Sequence, residues 1–220
     1  MIDGHINHSF PQTVLIVGVG RSDTIDTLLK HGFSSIVAID SSPSLVAKLT
    51  SRYEGRPGID IQVMEVSRMY ALQDGDFSLV IDKGCIDCLF CNVDRMRLVR
   101  DAYREIYRLL RPNGIFFSVS HGLPLTRMPY MKVVDWQIES FPVHEGESLY
   151  LFMGTKSART SSSSALAAVP REQMLLTDRP AVSTCQQNMN KSSRIRSKVN
   201  TGVLTVTSSL HELKALLEED

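Results

Sequence analysis

The sequence carries no net charge: 24 lysines and arginines balance 24 aspartates and glutamates over 220 residues. That balance removes the global field that draws a protein to nucleic acid or an anionic membrane, so neither is an expected partner. Long apolar runs are missing too. None approaches the roughly 18 residues that a membrane helix requires. Cysteine is scarce, four in all. Three of the four crowd together as Cys85, Cys88 and Cys91, which is no spaced disulfide framework, and reduced thiols are expected. The opening residues Met1, Ile2, Asp3, Gly4 and His5 hold neither the basic nor the apolar stretch of a secretory signal. A cytoplasmic protein is the expectation.

What is present is a repeated alternation of strand and helix patterns. Val14, Leu15, Ile16 and Val17 form a short apolar run ended by Gly18, as suits a strand buried on both faces of a parallel sheet. Ser22 or Asp23 can cap a helix with Ile25, Leu28 and Leu29 on one face, and Gly32 stops it. A second buried strand through Ile39 ends at Asp40, and Ser41 or Ser42 followed by Pro43 opens the next helix. Strands over residues 59–63 and 77–81, a helix over 94–110 and a strand over 115–119 complete four repeats. Right-handed crossovers turn this pattern into an α/β fold, a doubly wound and mostly parallel Rossmann-like sheet. The domain is expected over residues 1–156. Beyond it, residues 157–220 begin with a serine run and scatter Pro, Gln and Asn, the composition of a poorly structured tail. Within that tail a strand is expected over 203–206 and a short helix from Ser209 to Leu217.

In such a sheet ligands bind beyond the carboxyl ends of the strands, where Gly18, Asp40, Glu65 and Asp82 would gather. Gly18 and Gly20 let the backbone approach a ligand closely, and Asp40 can accept both hydroxyls of an adenosine ribose. A dinucleotide fingerprint wants a third glycine where this sequence has Asp23. An acid at that helix start would cap the amides and repel a diphosphate. S-adenosylmethionine has a sulfonium and an ammonium and no phosphate, so an acidic rim of Asp23, Asp40, Glu65 and Asp82 suits it better. The candidate cofactor residues are Gly18, Gly20, Ser22, Asp40, Ser41, Glu65, Val66 and Asp82, with Glu65 or the Val66 backbone at the adenine. Asp82, at the methionine end or the acceptor, is the catalytic candidate. The alternative is that it only caps the next helix.

The segment Asp82-Lys83-Gly84-Cys85-Ile86-Asp87 resembles the D/E-K-G-T-L-D signature of the methyltransferase-like family that includes the elongation factor 1-alpha lysine methyltransferases. Gly18-Val19-Gly20-Arg21-Ser22 is similar to that family's G-C-G-N-S, and Leu110-Arg111-Pro112-Asn113-Gly114 to its L-x-P-G-G turn. The likeness runs over residues 13–156. It implies a class I methyltransferase fold, S-adenosylmethionine as cofactor, and a protein lysine as acceptor, elongation factor 1-alpha among the candidates. Cys85 and Cys88 replace the signature's Thr and Ala, Arg21 replaces the Asn, and the family's aromatic-rich N-terminal helix has no counterpart. A cofactor-binding interaction module without catalysis and a small-molecule methyltransferase are therefore the rival readings.

Three other groups have plainer readings. Cys85, Cys88 and Cys91 on a helix rotate by about 60 degrees at each step and do not converge on one ion, so no metal is expected. Arg97, Arg100, Arg104, Arg108 and Arg111 form a stripe read as a solvated outer face. Tyr130, Trp136 and Phe141 are candidates for an apolar acceptor channel, by resemblance, and His121 is the one histidine placed near the strand ends.

Overall fold

The computed structural model describes residues 13–143 and 148–158, so the expectations for the tail, for Cys185 and for His5, His8 and His144 lie outside the described residues. Strand β1 (Thr13–Val17) is followed by helix α1 (Thr24–Lys30), β2 (Ser35–Asp40), α2 (Pro43–Arg52), β3 (Ile59–Val63) and β4 (Phe77–Lys83). Then come α3 (Cys85–Phe90), α4 (Arg95–Leu109), β5 (Leu110–Ser120), α5 (Pro124–Met131), β6 (Trp136–Pro142) and β7 (Tyr150–Lys156). One sheet orders the seven strands β3-β2-β1-β4-β5-β7-β6. The first five run parallel. β7 returns antiparallel to β5, and β6 to β7.

Side chains alternate across each strand, and here both faces are apolar. Leu15 and Val17 of β1 join Val80, Phe116 and Phe152 on the face covered by Val99, Ala102, Ile106 and Leu109 of α4. Val14 and Ile16 join Ile36, Ile81, Phe117 and Leu151 on the other face, covered by Ile25 and Leu28 of α1 and Leu49 of α2. This two-sided burial explains why the strands read as unbroken apolar runs instead of alternating ones. The chain leaves β1 toward β2 on one side, and β4 lies on the other side, so the sheet's switch point falls between β1 and β4. The register sets Val17 level with both Ile39 and Asp82, which brings the loop after β1 directly over the end of β4.

Two local expectations come out differently. Ser42 is the N-cap of α2, accepting from the Leu45 amide at 3.4 Å, with Pro43 in the first turn, as the sequence suggests. Asp23 is the N-cap of α1, but its side chain makes no capping hydrogen bond. Its carboxylate instead meets Arg52 at 3.3 Å. The strand expected at residue 115 begins at Leu110, because the turn through Asn113, at φ 62°, is bulged within the pairing to β4.

Candidate active site

The loop after β1 is shaped by backbone. Gly18 and Gly20 sit at φ 61° and 59°, a left-handed conformation that costs other residues energy. A Cβ on Gly18 would lie 2.5 Å from both Cβ and Sγ of Cys85, whereas one on Gly20 would meet only the Gly18 carbonyl at 3.7 Å. The first glycine is thus closed by packing and the second faces open space. Asp40, half-buried at the end of β2, accepts the Gly20 amide at 3.1 Å and the Ser42 amide at 2.9 Å, one on each carboxylate oxygen. Each oxygen keeps a second lone pair for an incoming hydroxyl. The Val19 amide donates to Ile39 at 3.0 Å and the Met64 amide to Asp40 at 3.0 Å, so the loops after β1, β2 and β3 are tied at one edge.

Asp82 lies beneath this loop and is 1% exposed. It accepts the Ser118 hydroxyl at 2.7 Å and the Ile86 amide at 3.2 Å. Burial pushes its carboxyl up to about 7, opposed by the Ser118 hydrogen bond and reinforced by the nearby Asp87 charge. Through the Ile86 amide Asp82 is tied to the first turn of α3, whose N-cap is Gly84. Cys85, next to it, is a free thiol that burial pushes well up, so it stays a thiol packed on Gly18. Cys88 is likewise a free thiol. Among the described residues no cluster of three or more His, Cys, Asp or Glu could hold a metal.

A second cluster stands beyond β4 and β5, and of its side chains only Tyr130 has an expected role from the sequence. Asp87 of α3 accepts the Ser120 hydroxyl at 2.6 Å, the His121 amide at 2.9 Å, and Nε and Nη2 of Arg127 at 3.2 and 3.1 Å. The Arg127 guanidinium lies 3.7 Å over the Phe90 ring, and Phe90 meets Tyr130 edge-on at 4.9 Å. Both charged side chains are largely buried, at 16% and 17% exposure, so this pair fastens α5 to α3. The last residue of the D-K-G-C-I-D motif was the available signal. The expected aromatic channel does not assemble. Trp136 is core, stacked on Phe116 at 5.3 Å, while Phe141 packs on the opposite face of the sheet. Tyr130 alone joins this cluster.

The remaining candidates are spread along the same edge. Ser22 spends its hydroxyl inside the loop, donating to the Val19 carbonyl at 3.0 Å. Ser41 and Glu65 are exposed, and the Val66 side chain is core. The acidic rim is thinner than expected, since Asp23 faces Arg52 and Asp82 is only partly ionised near neutral pH. An adenosyl group still fits. An open glycine bend and a carboxylate with spare acceptor capacity stand side by side at the switch point.

Residues 15–118 match the family of methyltransferase domains. A TehB-like SAM-dependent methyltransferase from Corynebacterium glutamicum shares the fold, with a TM-score of 0.54 at 18% identity over 67% of this chain and 81% of that one. The matched region is a methyltransferase domain on a Rossmann-like fold, the class of domain that uses S-adenosylmethionine. Within that class the chain is 28% identical over 183 residues to EEF1A lysine methyltransferase 4 of Mus musculus, spanning 78% of this chain and 70% of that protein. It is also 32% identical over 118 residues to EEF1A lysine methyltransferase 2 of Homo sapiens, 51% of this chain and 50% of the relative.

Proposed function

We propose that this chain methylates a lysine of a protein acceptor, with translation elongation factor 1-alpha as that acceptor. The observation supporting this reading is the similarity to a lysine methyltransferase of that factor over 183 residues, 78% of this chain. The two clusters divide the work. On the β1 side, Gly18 and Gly20 admit the cofactor, Asp40 accepts its ribose hydroxyls, Ser41 borders the ribose, and Glu65 with the Val66 backbone meets the adenine. S-adenosylmethionine, when bound, supplies a methyl group on a positively charged sulfur. Asp82 is a positioning residue in this reading, holding α3 and through it Cys85 against the glycine bend.

On the β5 side, Phe90, Tyr130 and Arg127 border the path of the incoming amine. A lysine amine attacks only as the neutral base, and its ordinary pKa of about 10.4 has to fall. Desolvation against the two rings and the nearby Arg127 charge both disfavour the ammonium form. Alignment of amine and methyl group then supplies most of the acceleration, with no covalent intermediate on the protein. A cytoplasmic site of action goes with this acceptor. The test is transfer of a tritiated methyl from S-adenosylmethionine to purified elongation factor 1-alpha, beside a sample whose lysines have been acetylated. Label in the first and none in the second is expected. Label confined to small molecules of a cell extract overturns the protein acceptor, and cofactor binding with no transfer anywhere leaves the interaction module.

A further inference from the structure

Residues 64–76, which join β3 to β4, form neither helix nor strand, yet they contain the buried Val66, Ser67 and Met69. Their hold comes from one pair on α4. Glu105, 9% exposed, accepts the Met69 amide at 2.8 Å and meets Arg108 twice, Nε at 2.8 Å and Nη2 at 2.9 Å. Arg108 also donates to the carbonyls of Met69 and Leu72, each at 2.9 Å, and to the Asp74 carboxylate at 2.6 Å. All five N–H groups of a guanidinium therefore have acceptors. Such a planar fork fixes two carbonyls and a carboxylate at once, which a lysine ammonium cannot imitate. The sequence placed Arg108 with Arg97 and Arg104 on a solvated stripe. Those two make only exposed pairs with Asp94 and Asp101.

We infer that Glu105 and Arg108 are positioning residues for cofactor recognition, clamping residues 64–76 so that Glu65 and the Val66 backbone stand at the purine. This rests on the proposed adenine assignment. The route is short. The clamp grips Met69 through both its amide and its carbonyl, the turn from Glu65 to Arg68 is closed by a 2.9 Å backbone hydrogen bond, and Met64 is tied to Asp40. The clamp therefore fixes the far end of a segment whose near end is already fastened to the ribose-binding strand. A carboxylate and an amide held there accept from the amino group of adenine and donate to its ring nitrogen. Hypoxanthine presents a carbonyl and an N–H at those places and is refused.

The experiment compares S-adenosylhomocysteine with S-inosylhomocysteine by calorimetric titration of the full chain, as wild type, R108K, E105Q and R104K. Wild type and R104K are expected to prefer the adenine compound. R108K should bind it about tenfold more weakly, the effect of one misplaced hydrogen bond, and lose most of the preference. E105Q, which keeps an acceptor for the Met69 amide, should show the same change at smaller size and serves if R108K does not fold. A lower melting temperature with affinity and preference intact in both variants overturns the inference and leaves a merely structural pair. No preference in the wild type overturns the adenine assignment itself, and the clamp's recognition role falls with it.

Discussion

The two sides of the switch point are made of different material. On the β1 side the site is backbone: two left-handed glycines, and amides donated to Asp40 from two and twenty residues away in sequence. On the β5 side it is side chains: Asp87, Ser120 and Arg127 with the rings of Phe90 and Tyr130, drawn from α3, β5 and α5. Backbone geometry leaves short motifs, because the left-handed conformation it requires strongly favours glycine. Side-chain clusters leave almost none. The difference matches the division of labour proposed above, a shared cofactor against an acceptor particular to each enzyme.

The largest effect should come from Gly18→Ala. The added methyl meets Cys85 at 2.5 Å in a left-handed backbone, and strain plus overpacking costs roughly 2–6 kcal/mol. Adenosyl binding should be abolished, as read by calorimetry. Retention of wild-type affinity would mean that the bend is not rigid. Next is Arg127→Met, which leaves Asp87 largely buried without its cation. Discounted for its partial exposure, the loss is about 2 kcal/mol in chemical denaturation. The folded variant should bind S-adenosylhomocysteine normally while its KM for the protein acceptor rises. An equal loss on both sides would erase the comparison.

A smaller effect concerns pH. Asp82 holds its proton to about 7 in the folded chain and releases it near 4 when unfolded. Between those values the folded state binds more protons, so this group's contribution to stability is complete below about pH 4 and is lost as pH rises through about 7. Asp82→Asn should flatten that part of a stability profile measured by urea unfolding. An unchanged slope would show that the carboxyl is ionised throughout. Smallest of all is Arg104→Lys, an exposed pair whose loss should shift stability by less than about 0.5 kcal/mol.

The same contrast sets what the sequence could reveal. The strands beginning at Thr13, Ser35 and Phe77 were readable because burial on both faces demands uninterrupted apolar runs. Ser42 with Pro43 announced α2 through chemistry contained in four residues. β6 and β7 were not recognised as strands, since they are specified by antiparallel pairing with β5 and β6 alternates between half-buried and exposed positions. Asp23 departs from its expected role because an N-cap residue need not cap with its side chain, and Arg52, twenty-nine positions away, captures that carboxylate. Trp136 departs from its own for a related reason. Its place in the core depends on Phe116 and on Gly154, whose missing Cβ would stand 3.0 Å from the indole. Arg108 was hidden in a periodic stripe, because periodicity reports a helix face and says nothing of a loop folded over it.

Calorimetric titration of Asp40→Ala with S-adenosylhomocysteine tests the arrangement most directly, with Asp23→Ala as the comparison acid. Loss of two hydrogen bonds to a charged group, at about 1.5 kcal/mol each, predicts an affinity roughly 100-fold lower for Asp40→Ala and unchanged for Asp23→Ala. Undiminished affinity in Asp40→Ala would contradict the placement of the cofactor at the glycine bend.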